Sequence, residues 1–132
     1  MEAPLYTTQD TRVFDPSNTI MFADAAMPQP GDLIEYGLIW PPYSVSPENP
    51  TGDPDDTVNV AWEMAPSIHF RHNQRANVVW CDGHISSEPW GWAHGQFNVY
   101  NGNNYQWGVG WFGPKDNSLF YHGPKSDFAT TP

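Results

Sequence analysis

The chain has 132 residues, with 15 acidic side chains against five basic ones and a formal charge of −10 at neutral pH. That length holds one domain and one modest core, with no room for a separate cofactor domain, and so negative a surface repels nucleic acid and anionic lipid. A single cysteine, Cys81, excludes an internal disulfide framework and a Cys-rich zinc site.

Seven Trp, six Tyr and seven Phe supply much of the apolar area, while 14 Pro and 11 Gly interrupt the chain too often for long helices. The expected class is therefore mainly β, a small antiparallel sheet with long ordered loops in one domain spanning 1–132.

In chain order, MEAPLYTTQDT lacks the basic start and apolar core of a signal peptide, and no apolar run is long enough to span a membrane. Arg12 to Asp15 and Pro16-Ser17-Asn18 read as an extended lead-in and a turn. Thr19 to Ala26, TIMFADAA, reads as an apolar strand ending at Asp24. Leu33 to Trp40 is a second strand candidate, stopped by Pro41-Pro42.

Residues 41–57, PPYSVSPENPTGDPDDT, are Pro-rich and acidic and lack hydrophobic periodicity, which predicts a long surface loop or a mobile excursion. Glu48, Asp53, Asp55 and Asp56 place four carboxylates within nine residues. Asp53, Asp55 and Asp56 are candidate calcium ligands, since calcium takes oxygen donors from loops. The spacing is not that of an EF-hand, and the competing reading, a solvated charged loop, is preferred.

The stretch 69–85, HFRHNQRANVVWCDGHI, carries the strongest signal. Asp82-Gly83 suits a two-residue type I′ turn, which needs φ > 0 at both positions. Such a turn pairs Cys81 with His84 and Trp80 with Ile85. With an earlier loop over His72 to Ala76, Arg71 faces Asn77, Phe70 faces Val78 and Ile68 faces Trp80. One face then carries Ile68, Phe70, Val78, Trp80 and Ile85, and the other His69, Arg71, Asn77, Val79, Cys81 and His84.

His72 and Asp82 stand at opposite ends of a strand, too far apart to act as one catalytic pair. The preferred reading of His72, Asp82 and Gly83 is structural, with Asp82 holding a turn and His72 bonding the loop it opens. On the polar face, His69, Cys81 and His84 could form a partial zinc site without an evident fourth ligand, and Cys81 with His84 is a conceivable nucleophile and base. Neither amounts to a catalytic constellation, and the chain is read as a non-enzyme.

His72, nine residues, then Asp82-Gly83, preceded by a Pro-Ser turn and a strand closing on Asp24, resembles the H-X9-DG domain of prepilin-like proteins. These form the abundant pseudopilin-like family of Planctomycetes, Verrucomicrobia and Lentisphaerae. The resemblance covers residues 14–131 and implies a pilin-like globular domain displayed outside the cytoplasm, on a filament or cell surface. Its implied partners are other pilin-like subunits. Family members begin with a prepilin leader and a long apolar helix. Met1 is therefore expected to start a truncated globular domain, or the chain lacks the anchor, so that membrane attachment would come only through an N-terminal helix absent here. Calcium in a loop of some pseudopilins keeps the acidic loop in view.

After the hairpin the sequence turns to Gly, Asn and aromatics, with a strand expected over Tyr105 to Phe112. Lys115-Asp116-Asn117-Ser118 should turn the chain into Leu119-Phe120-Tyr121. The aromatics have two readings. In the preferred one they are core plugs. In the other, Trp90, Trp92 and Trp107, flanked by Gly and polar residues, are exposed and form a sugar-stacking platform, making the domain a carbohydrate-binding module for a polysaccharide.

Overall fold

A computed structural model describes residues 13–128. The architecture is mainly β, as expected: seven short strands in small antiparallel sheets. The segment MEAPLYTTQDT, Arg12 at the start of the expected lead-in, and the tail beyond Phe128 lie outside the described residues.

The chain opens with a 3-10 turn over Pro16–Asn18 and enters β1, Ile20–Ala23. Strands β2, Ala26–Gln29, and β3, Asp32–Glu35, form a hairpin around Pro30-Gly31 with Gln29 opposite Asp32. The strand expected over Leu33 to Trp40 thus ends at Glu35, well before the prolines. Residues 36–67 form no named strand and are held by isolated bridges such as Tyr43 with Glu63. Strand β4 is Ile68–His69, β5 is Arg75–Trp80 and β6 is Ile85–Pro89. A single helical turn, α1, Asn104–Trp107, precedes β7, Val109–Gly110.

The main sheet has the order β1-β5-β6. In β5, Ala76, Val78 and Trp80 are buried while Arg75 and Asn77 are exposed, the alternation of a strand with one face on the core. That inner face meets Ile20, Ile68, Phe70, Trp92, Trp111 and Phe112 in one cluster. Phe112 touches both Phe70 and Trp80 edge to face, with ring centroids 6.5 and 6.0 Å apart. Aromatic plugs of this kind let a chain of short strands bury enough area to fold.

Two turn geometries correct the expected register. The type I′ turn is at Asn73-Gln74, not Asp82-Gly83: both residues have positive φ, 56° and 63°, and His72 and Arg75 exchange both backbone hydrogen bonds around them. At the other end of β5 the loop has three residues. Gly83 N donates to Trp80 O and Trp80 N to His84 O, and only Gly83 is left-handed, at φ 91°. This is a type I turn closed by a Gly bulge.

The cause of the longer loop is a competing partner. Cys81 N donates to Thr19 O and Asp82 N to Pro16 O, which removes Cys81 from pairing with His84. Val79, not Trp80, then stands opposite Ile85. The one-residue slip turns Ile85 outward, 69% exposed rather than on the core face.

The pairing of β4 with β5 is also replaced. Ile68 lies opposite Gly110 and His69 opposite Val109, while Ile20 takes the place opposite Trp80. The expected strand over Tyr105 to Phe112 is interrupted for a local reason. Asn103 caps α1 by accepting from the backbone N–H of Tyr105 and Gln106, and Gly108 ends it at φ 66°.

Buried asparagines order the loops. Asn117 bridges both backbone polar groups of Tyr43, and Asn49 binds Asp53 O and Asn59 O while accepting from Asp53 N. The two ends of the described chain meet: Phe14 N donates to His122 O, and Lys125 Nζ donates to Thr19 Oγ1, Ser118 O and Tyr121 O.

Candidate binding site

The residues of the H-X9-DG stretch occupy two separate joints. At the first, β1 leaves β5 and the chain turns to run beside β4. Asp24 sits at this switch: its N donates to Asn77 O and its carbonyl accepts from His69 N. Its carboxylate accepts from Asn77 N at 2.9 Å, and His72 Nε2 lies 3.2 Å from the same oxygen, Oδ2. His72 therefore meets Asp24, the residue that closes TIMFADAA, and Asp82 belongs to a different joint.

At the second joint Asp82 Oδ1 accepts from the backbone N–H of His84 and contacts the His84 ring. These bonds, the backbone one first, hold the Asp82 carboxyl below the usual carboxylate range. The His84 ring stacks on Trp80 with planes 3° apart. Gly83 supplies the one left-handed residue of the turn, and a Cβ added there would meet nothing within 4 Å, so conformation and not space calls for glycine.

The partial zinc grouping dissolves with the register. His69 follows β4 to β7, where Arg71 Nε donates to its Nδ1, and burial followed by the Arg71 charge pushes its pKa down. His84 Nδ1, the nitrogen nearest Asp82, is engaged there. Cys81 lies in the turn, half-buried, and not on the strand.

In the acidic loop two of the four carboxylates serve their own backbone. Asp53 Oδ1 accepts from Asp55 N, and Asp56 Oδ1 accepts from Val58 N and Asn59 N, the pattern of Asx turns. Among the described residues, no three His, Cys, Asp or Glu side chains converge as a metal site, so Asp53, Asp55 and Asp56 do not form a preassembled calcium cage.

Two of the three aromatic candidates come together. Trp90 and Trp107 line a cleft of about 530 Å³ with Phe70, Gln74, Tyr105 and Gln106. Trp90 is fixed at both ends: its backbone N donates to Gln74 O, and its indole Nε1 donates to Val109 O at 3.0 Å. The Tyr105 ring stands perpendicular to it, at 89° and 5.9 Å. Turn α1 delivers Tyr105, Gln106 and Trp107 together, and Phe70 N donates to Gly108 O, which locks the end of that turn onto the core.

Trp92 does not belong to the platform. It forms a bridge with Trp111 through both backbone groups, is 9% exposed, and packs its ring 4.9 Å from Trp111, with Lys115 Nζ 5.8 Å from its centroid. Sequence reading missed Tyr105, Gln74 and Gln106 as cleft residues. A signal was present: Asn103, four residues later Trp107, then Gly108 is a helix cap and stop around NYQW.

No family model matches the chain, and no curated protein and no solved structure is significantly similar to it.

Proposed function

We propose that the chain is a non-enzymatic, pseudopilin-like domain displayed outside the cytoplasm, on a filament or cell surface, for assembly or recognition. The observation that supports this reading is the joint of Asp24 with His72. It joins the two segments that resemble the H-X9-DG family, with the Asp24 carboxylate holding the backbone of β5 and the His72 ring holding that carboxylate. Residues used in this way build a scaffold for a surface. The test is labelling of intact source cells with antibody raised against this domain, followed by chemical cross-linking. Surface label and cross-linked multimers are expected; label seen only after permeabilisation overturns the reading.

A second reading, carbohydrate recognition, is favoured by the convergence of Trp90, Tyr105 and Trp107 on one cleft. Concave sites of roughly 300–1,000 Å³ with aromatic walls and a few polar groups suit small ligands.

A further inference from the structure

We infer that the Trp90–Trp107 cleft binds an uncharged sugar chain and that Gln74 is the residue that reads its hydroxyl groups. The inference rests on the carbohydrate reading above and deepens it by naming the ligand class and the reading residue.

The cleft is lined by four aromatic residues, two glutamines and Gly108, with no charged residue. A pyranose ring matches that composition, since its C–H faces are apolar and its rim carries hydroxyls that both donate and accept. A carboxamide also does both, with a carbonyl oxygen and two N–H donors. Uronic or sulfated sugars would find no cation in the cleft and would face a chain of net charge −10. An alkylammonium ion could use the aromatic faces, but it has no hydroxyls and leaves both amides idle.

Gln74 carries a second, independent observation. It occupies the second position of the type I′ turn at φ 63°, a place where glycine is favoured and where a long side chain is strained. Its carbonyl accepts from Trp90 N, so the strained residue is fixed beside the aromatic wall it shares the cleft with. Residues held at such angles cluster at ligand-binding sites, and Gln74 sits there with its side chain exposed. Gln106 comes from the exposed side of α1 and supplies the second amide.

The test titrates the full chain with three probes, read by tryptophan fluorescence and calorimetry: a panel of neutral hexose oligosaccharides, a polyuronate, and tetramethylammonium. Gln74→Gly is compared with the unaltered chain in binding and in melting temperature. Saturable binding of a neutral oligosaccharide is expected, weakened roughly tenfold by Gln74→Gly, with the melting temperature kept or raised because glycine relieves the turn. A role in folding alone would not weaken binding while preserving the melt. Binding of the polyuronate alone overturns the neutral-ligand inference and leaves carbohydrate recognition standing. Binding of tetramethylammonium alone, or of no probe, overturns both. Equal affinity of Gln74→Gly for the neutral sugar removes Gln74 from its role.

Discussion

His72 Nε2 lies 3.2 Å from Asp24 Oδ2, and the same carboxylate oxygen accepts the backbone N–H of Asn77 at 2.9 Å. One atom thus ties the turn that opens β5, the body of β5 and the end of β1. The two partners are unequal. Asp24 also binds Asn77 O and His69 N through its backbone, whereas the His72 side chain is half in solvent. His72→Ala should cost no more than about 1 kcal/mol, the range of a solvent-exposed pair. Asp24→Ala, which also strips the acceptor from Asn77 N, should cost about 2 kcal/mol. Chemical denaturation of the two variants measures this, and a larger loss for His72→Ala would contradict the arrangement.

Gly83→Val should destabilise by about 1–3 kcal/mol. The side chain would enter open space, so the whole cost comes from forcing a β-branched residue to φ 91°. Gly83→Asn should cost clearly less, because asparagine tolerates the left-handed region. Thermal melts that rank the two equally would show that backbone conformation is not the constraint.

The tryptophans should divide sharply. Trp111 is 1% exposed, packs on Trp92 and donates its indole N–H to Trp40 O, so Trp111→Ala should cost about 3–5 kcal/mol. Trp62 is 71% exposed, and Trp62→Ala should stay within about 0.5 kcal/mol. Urea titrations with unchanged slope would measure both.

Acid should weaken the turn after β5. The Asp82 carboxyl is held below its ordinary value of 3.8 by the His84 backbone N–H and then by the His84 ring. A folded value lower than the unfolded one means that the carboxylate stabilises the fold. Its contribution is complete above 3.8 and fades as pH falls through the lower folded value. The gap in melting temperature between the unaltered chain and Asp82→Asn should therefore narrow in acid. A gap that stays constant from neutral pH to about pH 2 would show that the ionised form is not what matters.

Calcium should leave the melting temperature unchanged, because among the described residues no three carboxylates converge on one point. Any ligand that binds the folded state alone raises the melt with its concentration, so a saturable rise on adding calcium would restore the acidic loop as a site.

The mainly β class was legible because Pro and Gly deny the chain long helices and its aromatics can fill a core between short strands. The burial of Val78 and Trp80 on one face of β5 was legible from their alternation, whereas Ala76, expected in the loop, extends that face. Register was not. The Asp82-Gly83 dipeptide suits a two-residue loop, but Thr19 O and Pro16 O claim Cys81 N and Asp82 N, and those acceptors lie more than sixty residues upstream. The pairing of His72 with Asp24 was hidden likewise, since only the fold brings these residues together. Of the cleft, Trp90 and Trp107 could be named from their polar neighbours. Trp92 could not be separated from them, because its burial depends on a bridge to Trp111 that no local pattern encodes.

The bonds from Phe14 N to His122 O and from Lys125 Nζ to Thr19 Oγ1 fasten the first described segment to the last. They also set the mechanical behaviour of the domain. A tether pulling on the backbone before Phe14 would load β1 and the C-terminal segment together, so tension is shared between both ends of the chain. Peeling the domain open from its N-terminal side then requires the Phe14 bond and the Lys125 clamp to fail before β1 can be drawn out of the sheet.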